Sequence, residues 1–319
     1  MKPPLIILTG PTGVGKTALS LALAKAIDGE IISADSMQVY QQMDIGSAKI
    51  MPDEQQGIPH HLLDILAPDE EFHVVKFQQL AKEAIRQIYR RERIPIIVGG
   101  TGFYIQALLY DINFTVATKD FSARREWEEI AQTKGIFALH QMLAEVDEEA
   151  AKEIHPNNVK RVIRALEFYA QTGEKISDHN AIEKQKESPF NYVYFVLNDE
   201  RERLYQRIEM RVDEMVEKGL VEEVTNLKNR GYGKELVSMQ GLGYKELLAY
   251  LEGDCTFEEA LYLLKRNTRH FAKRQLTWFR REKDVIWINK HDFAYVEEVL
   301  LQKMLEIANR RGIITGPIS

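Results

Sequence analysis

Short apolar runs alternate with stretches of helical periodicity along most of the chain, and this alternation sets the expected fold. Leu5-Ile6-Ile7-Leu8 is a continuous apolar run of strand length, closed at once by a glycine-rich loop, and predicts a buried strand. Over 17–27 the chain is rich in Ala and Leu without Pro or Gly, and Asp28-Gly29 follows, which predicts a helix with a stop signal. Residues 30–34 read as a second strand. Over 72–93, Phe77, Leu80, Ala84 and Ile88 fall at helical spacing with charges between them, as in an amphipathic helix. Strands are expected again at 94–98, 192–197 and 285–288, with helices over 201–218, 221–228, 257–281 and 293–308. From about 115 to 186 the pattern is charged and helix-forming without a convincing strand. Helices are expected there at 127–131, 137–143 and 159–170, the last started by His155-Pro156-Asn157-Asn158 and stopped by Thr172-Gly173, before a polar stretch over 174–188. Five strands alternating with helices predict a mainly parallel α/β sheet flanked by helices. The simplest division is an α/β core over 1–115 and 187–319, with a helical insertion domain over 116–186.

Composition changes this picture little. The 319 residues are 45% hydrophobic and 28% charged, ordinary values for a globular chain. No apolar run approaches the roughly 20 residues that cross a bilayer. Cys255 is the single cysteine, which excludes an internal disulfide and fits a reducing compartment. The first predicted strand leaves no room ahead of it for a targeting segment, so a cytoplasmic location is expected. The net charge of −6 gives no global hint of a nucleic-acid partner, so local patches must decide.

The chemistry begins at Gly10-Pro11-Thr12-Gly13-Val14-Gly15-Lys16-Thr17, a G-x-x-x-x-G-K-T loop between a strand and a helix. Backbone amides and a helix N-terminus offer several donors to one anion. Lys16 adds a mobile charge, and the Thr17 hydroxyl is the usual Mg²⁺ ligand of such loops. The order of elements around it predicts that the chain binds a di- or triphosphate. Asp35 follows the second strand, where ligands bind in open α/β sheets; it is either a base facing the bound group or a helix cap. Adjacent His60 and His61 point in different directions with no ligand-spaced partner, and read as solvated or hydrogen-bonded histidines, not metal ligands. The third strand ends in Gly99-Gly100-Thr101-Gly102, not in the acidic residue of many ATPases. Such a turn lets another molecule approach the backbone.

Positive charge gathers in three places. Lys160, Arg161 and Arg164 are helical neighbours. Arg201, Arg203, Arg207 and Arg211 are spaced to close over a phosphate, which the arginine fork pairs bidentately. Lys265, Arg266, Arg269, Lys273, Arg274, Arg280 and Arg281 are interleaved with His270, Phe271, Trp278 and Phe279, with Glu282 the single acid near the end. This last stripe suits RNA phosphates and stacked bases, or else a helix held to the core by its aromatics with arginines left in water.

Taken in order, further motifs complete the set: Ala34-Asp35-Ser36-Met37-Gln38-Val39-Tyr40, Asp44-Ile45-Gly46, Pro59-His60-His61-Leu62 and Val98-Gly99-Gly100-Thr101-Gly102-Phe103-Tyr104. His155-Pro156-Asn157-Asn158 with Arg161, Arg164 and Glu167 follows, then Gln240-Gly241-Leu242-Gly243-Tyr244-Lys245 and Lys273-Arg274-Gln275-Leu276-Thr277-Trp278-Phe279-Arg280. With the glycine loop, this ordered set resembles the bacterial tRNA dimethylallyltransferase (tRNA isopentenyltransferase) family, from Leu5 to about Trp287. It departs in Ser47, where Thr is expected, and in Ile50, where Pro is usual. The resemblance implies a P-loop kinase-like core. It also implies transfer of a dimethylallyl group from dimethylallyl diphosphate to N6 of the adenosine 3′ to the anticodon. In that scheme Gly10 to Thr17, with Arg207 and Arg211, hold the diphosphate, and Mg²⁺ sits on Thr17. Lys16 is then catalytic through the leaving charge, Asp35 takes the N6 proton and Thr101 hydrogen-bonds across the reacting centre. The tRNA contacts implied are Asp35, Ser36, Met37, Gln38, Thr101, Arg124, the segment 159–163 with Val159, Lys160 and Arg161, then Arg164, the segment 240–245 with Gln240 and Lys245, and the segment 273–280 with Lys273, Arg274, Gln275 and Trp278. The partners implied are the tRNA anticodon stem-loop and the allylic diphosphate, with no membrane and a monomeric enzyme. A small-molecule kinase with Asp35 as base shares the loop, but leaves the basic aromatic helix and the Gly-Gly-Thr-Gly turn unexplained. A nucleotide-dependent RNA-binding switch lacks the acidic residue after the third strand.

Overall fold

A computed structural model describes residues 2–114 and 122–314. The apolar runs become β1 (Pro4–Thr9), β2 (Gly29–Ala34), β4 (Ile94–Gly99), β5 (Asn191–Asn198) and β6 (Val285–Asn289), and His60–His61 adds a two-residue β3. The first three helices are α1 (Lys16–Ile27), α2 (Val74–Arg90) and α3 (Gly102–Leu109). The strands form one six-stranded sheet in the order β3-β2-β4-β1-β5-β6, with every neighbouring pair parallel. Leu5, Ile6, Ile7 and Leu8 are fully buried, as central strands covered on both faces must be.

Contacts divide the chain into one unit up to Leu109 and again from Pro189, and a second from Tyr110 to Ser188. The expected boundary at 115/116 lies outside the described residues. The second unit holds α4 (Ser122–Thr133), α5 (Ile136–Val146), α6 (Glu148–Glu153), α7 (Val159–Thr172) and α8 (Ile176–Glu183). Its core gathers Leu139, Leu143, Ala150, Ile154, Val162, Ile163 and Leu166. Helix α8 falls inside the stretch read as merely polar. It is pinned from outside its own pattern, because Asp147 caps α6 through Ala150 N (3.0 Å) and also accepts Ser177 N (2.9 Å) and Ser177 Oγ (2.7 Å). After β5 the first unit adds α9 (Arg201–Glu217), α10 (Leu220–Asn229), α11 (Tyr244–Glu252), α12 (Phe257–Phe279) and, beyond β6, α13 (Glu297–Arg310). The final helix starts later than the apolar pattern suggests, because Lys290–Phe293 forms a 3₁₀ turn first. Among the described residues, no helix is long and apolar enough to cross a membrane.

The expectation of five strands is corrected by β3. No apolar run announces it; its backbone pairs with Ile31 and Ile32 while its side chains are fixed by hydrogen bonds. His60 Nδ1 lies 2.8 Å from Ile58 O, and His61 Nε2 lies 2.7 Å from Glu30 Oε2. Glu30 is fully buried on β2 and accepts Arg91 Nε at 2.8 Å and Nη2 at 2.7 Å, with Arg93 Nη1 at 3.4 Å. Burial opposes its charge, but the bonds and charges of Arg91 and His61 outweigh it and bring the carboxyl down to about 2. A depressed carboxyl stabilises the fold above the ordinary glutamate range, and that contribution is lost as the pH falls through about 2. Glu30→Gln is expected to cost roughly 1.5–3 kcal/mol at neutral pH, read as a lower urea midpoint. The gap to the parent should narrow as the pH is lowered from about 5 to 3; a gap independent of pH would rule out the ion pair as its source.

Candidate active site

The sheet register builds the site. Ala34 and Thr9 both lie opposite Gly99, so the segments leaving β2, β1 and β4 emerge side by side at one edge. Between β1 and α1 the loop turns through left-handed backbone at Gly10, Gly13 and Gly15, with φ of 146°, 81° and 96°. The first turn of α1 has neither a capping side chain nor an acid, so its positive end stays open to an anion. Lys16 Nζ folds back and donates to Gly10 O (3.0 Å) and Pro11 O (2.9 Å).

Helix α9 supplies the second wall. Arg207 Nε donates to Gly13 O at 2.9 Å, and Arg211 Nη1 reaches Thr12 Oγ1 at 3.4 Å. A fourth cation, Lys290, was missed in the sequence. It follows β6 and is 5% exposed; a Cβ on Gly15 would sit 3.3 Å from both its Nζ and Arg207 Nη2. Among the described residues its ammonium reaches only Glu297, at 3.9 Å. Its signal was position alone: the carboxyl end of a strand in a parallel sheet. Burial and the neighbouring Arg211 charge push Lys16 down to about 7, against the pull of Asp35. Burial lowers Arg211, and burial with the Arg207 charge lowers Lys290. Lys16, Arg211 and Lys290, crowded near a helix N-terminus and each depressed by burial, make a site that an anion relieves.

Asp35 caps no helix. Its Oδ1 accepts Met37 N (2.8 Å) and Gln38 N (3.3 Å) in a side-chain turn, which leaves Oδ2 outside those bonds. Thr101 N donates to Ala34 O at 3.2 Å, which fixes Thr101 beside the start of the Asp35 turn. The Gln38 amide is committed within the fold, accepting Ser33 Oγ at 3.0 Å and donating to Ser47 O and Ala48 O at 3.3 and 3.2 Å. Ser36 and Met37 are half-buried, and Met37 abuts Gly241. Glu223, also missed, accepts the amides of Asp44 (2.9 Å), Ile45 (2.7 Å) and Gly46 (3.1 Å) and the Tyr244 hydroxyl (2.7 Å). This joins the Asp-Ile-Gly motif to the Gly-Tyr-Lys motif.

The basic helix α12 sorts into two parts. Lys265 pairs with Asp213 at 2.6 Å and Arg269 with Glu209 at 2.5 Å, both partners on α9. Lys273, Arg274 and Arg280 are exposed, while Phe279 is buried and Trp278 lies against Gly102, edge-on to Phe103 at 6.1 Å. Aromatics therefore hold the helix to the core, and the later cations face water. Lys273, Arg274 and Arg281 line an open cavity of about 420 Å³ together with His270, Thr277 and Trp278. Gln275 points inward and is 6% exposed. Gln240 is exposed and bonds Lys234 O, and Lys245 lies 3.7 Å from Glu246. In the second unit Lys160 and Arg161 are exposed and Val159 packs on the local core, as do the buried Val162 and Ile163. Arg124 and Arg164 lie 3.6 and 3.9 Å from Glu167.

Sheet, loop and cationic edge define a P-loop kinase-like α/β protein. The family model for IPP transferase matches residues 38–282. The chain is 60% identical over 311 residues to the tRNA dimethylallyltransferase of Lachnoclostridium phytofermentans, covering 98% of this chain and 99% of that protein. It is 50% identical over 299 residues to that of Alkaliphilus oremlandii, covering 94% and 95%. The tRNA delta(2)-isopentenylpyrophosphate transferase structure from Staphylococcus epidermidis is 43% identical, with a TM-score of 0.72 over 97% of this chain and 100% of that one. A eukaryotic dimethylallyltransferase acting on tRNA superposes with a TM-score of 0.83 at 32% identity, over 96% and 79%. The chain belongs to the IPP transferase family and is, like these relatives, a transferase.

Lys16→Ala is expected to weaken binding of inorganic diphosphate about tenfold or more, since a charge-assisted bond is lost. Titration calorimetry checks this. Unchanged affinity would exclude the loop as the diphosphate seat.

Proposed function

We propose that the chain transfers the dimethylallyl group of dimethylallyl diphosphate to N6 of the adenosine 3′ to the anticodon of tRNA, and releases diphosphate. The observation that carries this reading is the arrangement of Asp35 and Thr101 at the same sheet edge as the cationic glycine loop. In the reaction the allylic C1–O bond breaks and its electron pair leaves on the diphosphate. The N6 lone pair forms the new C–N bond, and the N6 proton passes to Asp35. Oδ2 is the oxygen for that proton, because Oδ1 accepts two amides. Lys16, the loop amides, Arg207 and Arg211 stabilise the charge that develops on the leaving group. Thr101 positions N6 across from Asp35. An adenine stacked in an anticodon loop cannot reach such a pocket, so it is turned out of the stack; Ser36, Met37 and Gln38 line its path.

The residues present fit a Mg²⁺ ion. Among the described residues no group of three or more His, Cys, Asp or Glu forms a cage, and Mg²⁺ favours few protein ligands, retained waters and substrate phosphate oxygens. The Thr17 hydroxyl would hold it, and the ion would supply charge neutralisation to the diphosphate. The RNA would lie on Lys273, Arg274 and Trp278 of α12, with the 240–245 segment. Arg124, Val159, Lys160, Arg161 and Arg164 of the helical unit would add contacts. The same reading has the enzyme working as a monomer in the cytoplasm.

Incubation with labelled dimethylallyl diphosphate, ATP and unmodified tRNA tests the proposal. Label in tRNA supports it, whereas phosphate transferred from ATP to a small acceptor would make the chain a kinase. Asp35→Asn keeps an acceptor for the turn amides but removes the base. Turnover should fall about a hundredfold with tRNA binding kept, and near-normal turnover would remove Asp35 from that role. Arg274→Ala should weaken tRNA binding and lower the log–log salt slope by about one; an unchanged slope would place the RNA elsewhere.

A further inference from the structure

We infer that Gln275 is a positioning residue that couples the RNA-facing helix to the diphosphate loop, an inference that rests on the function proposed above. Its amide spans two segments remote in sequence. Oε1 accepts Thr12 N at 2.9 Å, and Nε2 donates to Gly100 O at 3.0 Å. A carboxamide offers one acceptor and one donor in a fixed plane, so a single side chain satisfies an amide of the loop and a carbonyl of the turn that carries Thr101. The turn is built to receive it: a Cβ on Gly100 would collide with the Gln275 amide, and one on Gly102 with the Trp278 indole.

Thr12 is the link inside the loop. It lies between Pro11, whose carbonyl holds Lys16, and Gly13, whose carbonyl holds Arg207. Fixing the Thr12 amide fixes the peptide plane that it shares with the Pro11 carbonyl, and so aims Lys16, while Arg207 holds the loop one residue further on at Gly13. On the other side, Lys273 and Arg274 are the exposed residues just before Gln275 on the same helix. Lys273, Arg274 and Gln275 sit within one 3.6-residue, hydrogen-bonded turn, so a displacement of that turn by RNA moves the Gln275 amide with it. Diphosphate in the loop loads the same amide from the opposite end. Two ligands biasing one shared element must change each other's affinity by the same factor, in typical cases about 5–150-fold.

The test uses the full chain, an unmodified anticodon stem-loop RNA, and inorganic diphosphate with Mg²⁺ as the unreactive probe. The quantity read is the ratio of RNA dissociation constants without and with saturating diphosphate. The parent should give a ratio of about five or more. Gln275→Ala should bring it to about one, each affinity being compared within the variant and the ligands supplied at concentrations that saturate it. Gln275→Glu keeps an acceptor for Thr12 N but sets an oxygen against Gly100 O; it should also lose the ratio, with diphosphate affinity closer to the parent's. Thermal melting identifies any variant that fails to fold, and the ratio in the folded one then decides. A ratio of about one in the parent, or a parental ratio in a folded variant, overturns the coupling. The labelled-donor assay on the parent separates the two failures. Absent transfer to tRNA defeats the proposed function, whereas transfer with a ratio of one defeats this inference alone.

Discussion

The site depends on a backbone constraint: the parallel register that sets Thr9 and Ala34 opposite Gly99. A slip of one residue along β2 would carry Asp35 about 3.3 Å along the sheet and turn it to the other face. Two bonds guard the register at that edge, Thr9 Oγ1 to Gly99 O at 2.6 Å and Thr101 N to Ala34 O at 3.2 Å. The carboxylate, the threonine and the glycine loop are thus placed by main chain. Long side chains enter only to complete the charge.

That charge is crowded. Lys16, Arg207, Arg211 and Lys290 meet around the loop, where Asp35 faces Lys16 and Arg211, Glu214 faces Arg211, and Asp199 and Glu297 face Lys290, the last at 3.9 Å. Two like charges about 4 Å apart repel by roughly 4 kcal/mol at an effective dielectric of 20, a large share of the 5–15 kcal/mol that holds a domain together. The contrast with the amino end of the same sheet is instructive. There Glu30 is a single buried carboxylate ringed by Arg91, Arg93 and His61, so its charge is matched within the fold. At the carboxyl end burial lowers Lys16, Arg211 and Lys290 despite the nearby acids, and a bound diphosphate, as proposed above, would relieve them.

How much of this was legible in the sequence follows from how local each signal is. The phosphate loop, the helix behind it and the strands of four or more apolar residues are written in contiguous residues, and they lie where the pattern puts them. Strand β3 is not, because two histidines earn strand geometry only by pairing with Ile31 and Ile32. Helix α8 is not, because Asp147, some thirty residues earlier, holds its first turn. Asp35 could be placed but not resolved between cap and base; it caps no helix, its Oδ1 holds two turn amides, and Oδ2 lies outside those bonds. The Glu223 bond to Asp44 and the inward turn of Gln275 depend on partners 175 to 263 residues away in sequence, and Lys290 on burial beside Gly15 and Arg207. No local pattern encodes such contacts.

The clearest case is α9, whose two faces decide what α12 has left for RNA. Arg207 and Arg211 share one face and reach the loop; Glu209 and Asp213, two residues on from each, stand about 200° around the helix and take Arg269 and Lys265 of α12. One helix thereby lends positive charge to the glycine loop and neutralises Lys265 and Arg269 in the first half of the neighbouring stripe. The cations of α12 left in water begin at Lys273, in the turn that also carries Gln275 and Trp278 against Gly100 and Gly102. A polyanion drawn by unpaired charge is therefore drawn to the stretch of α12 that abuts the Thr101 turn. Sequence composition shows a basic helix, but the pairing across α9 shows which half of it attracts, and that half is the one beside the Thr101 turn.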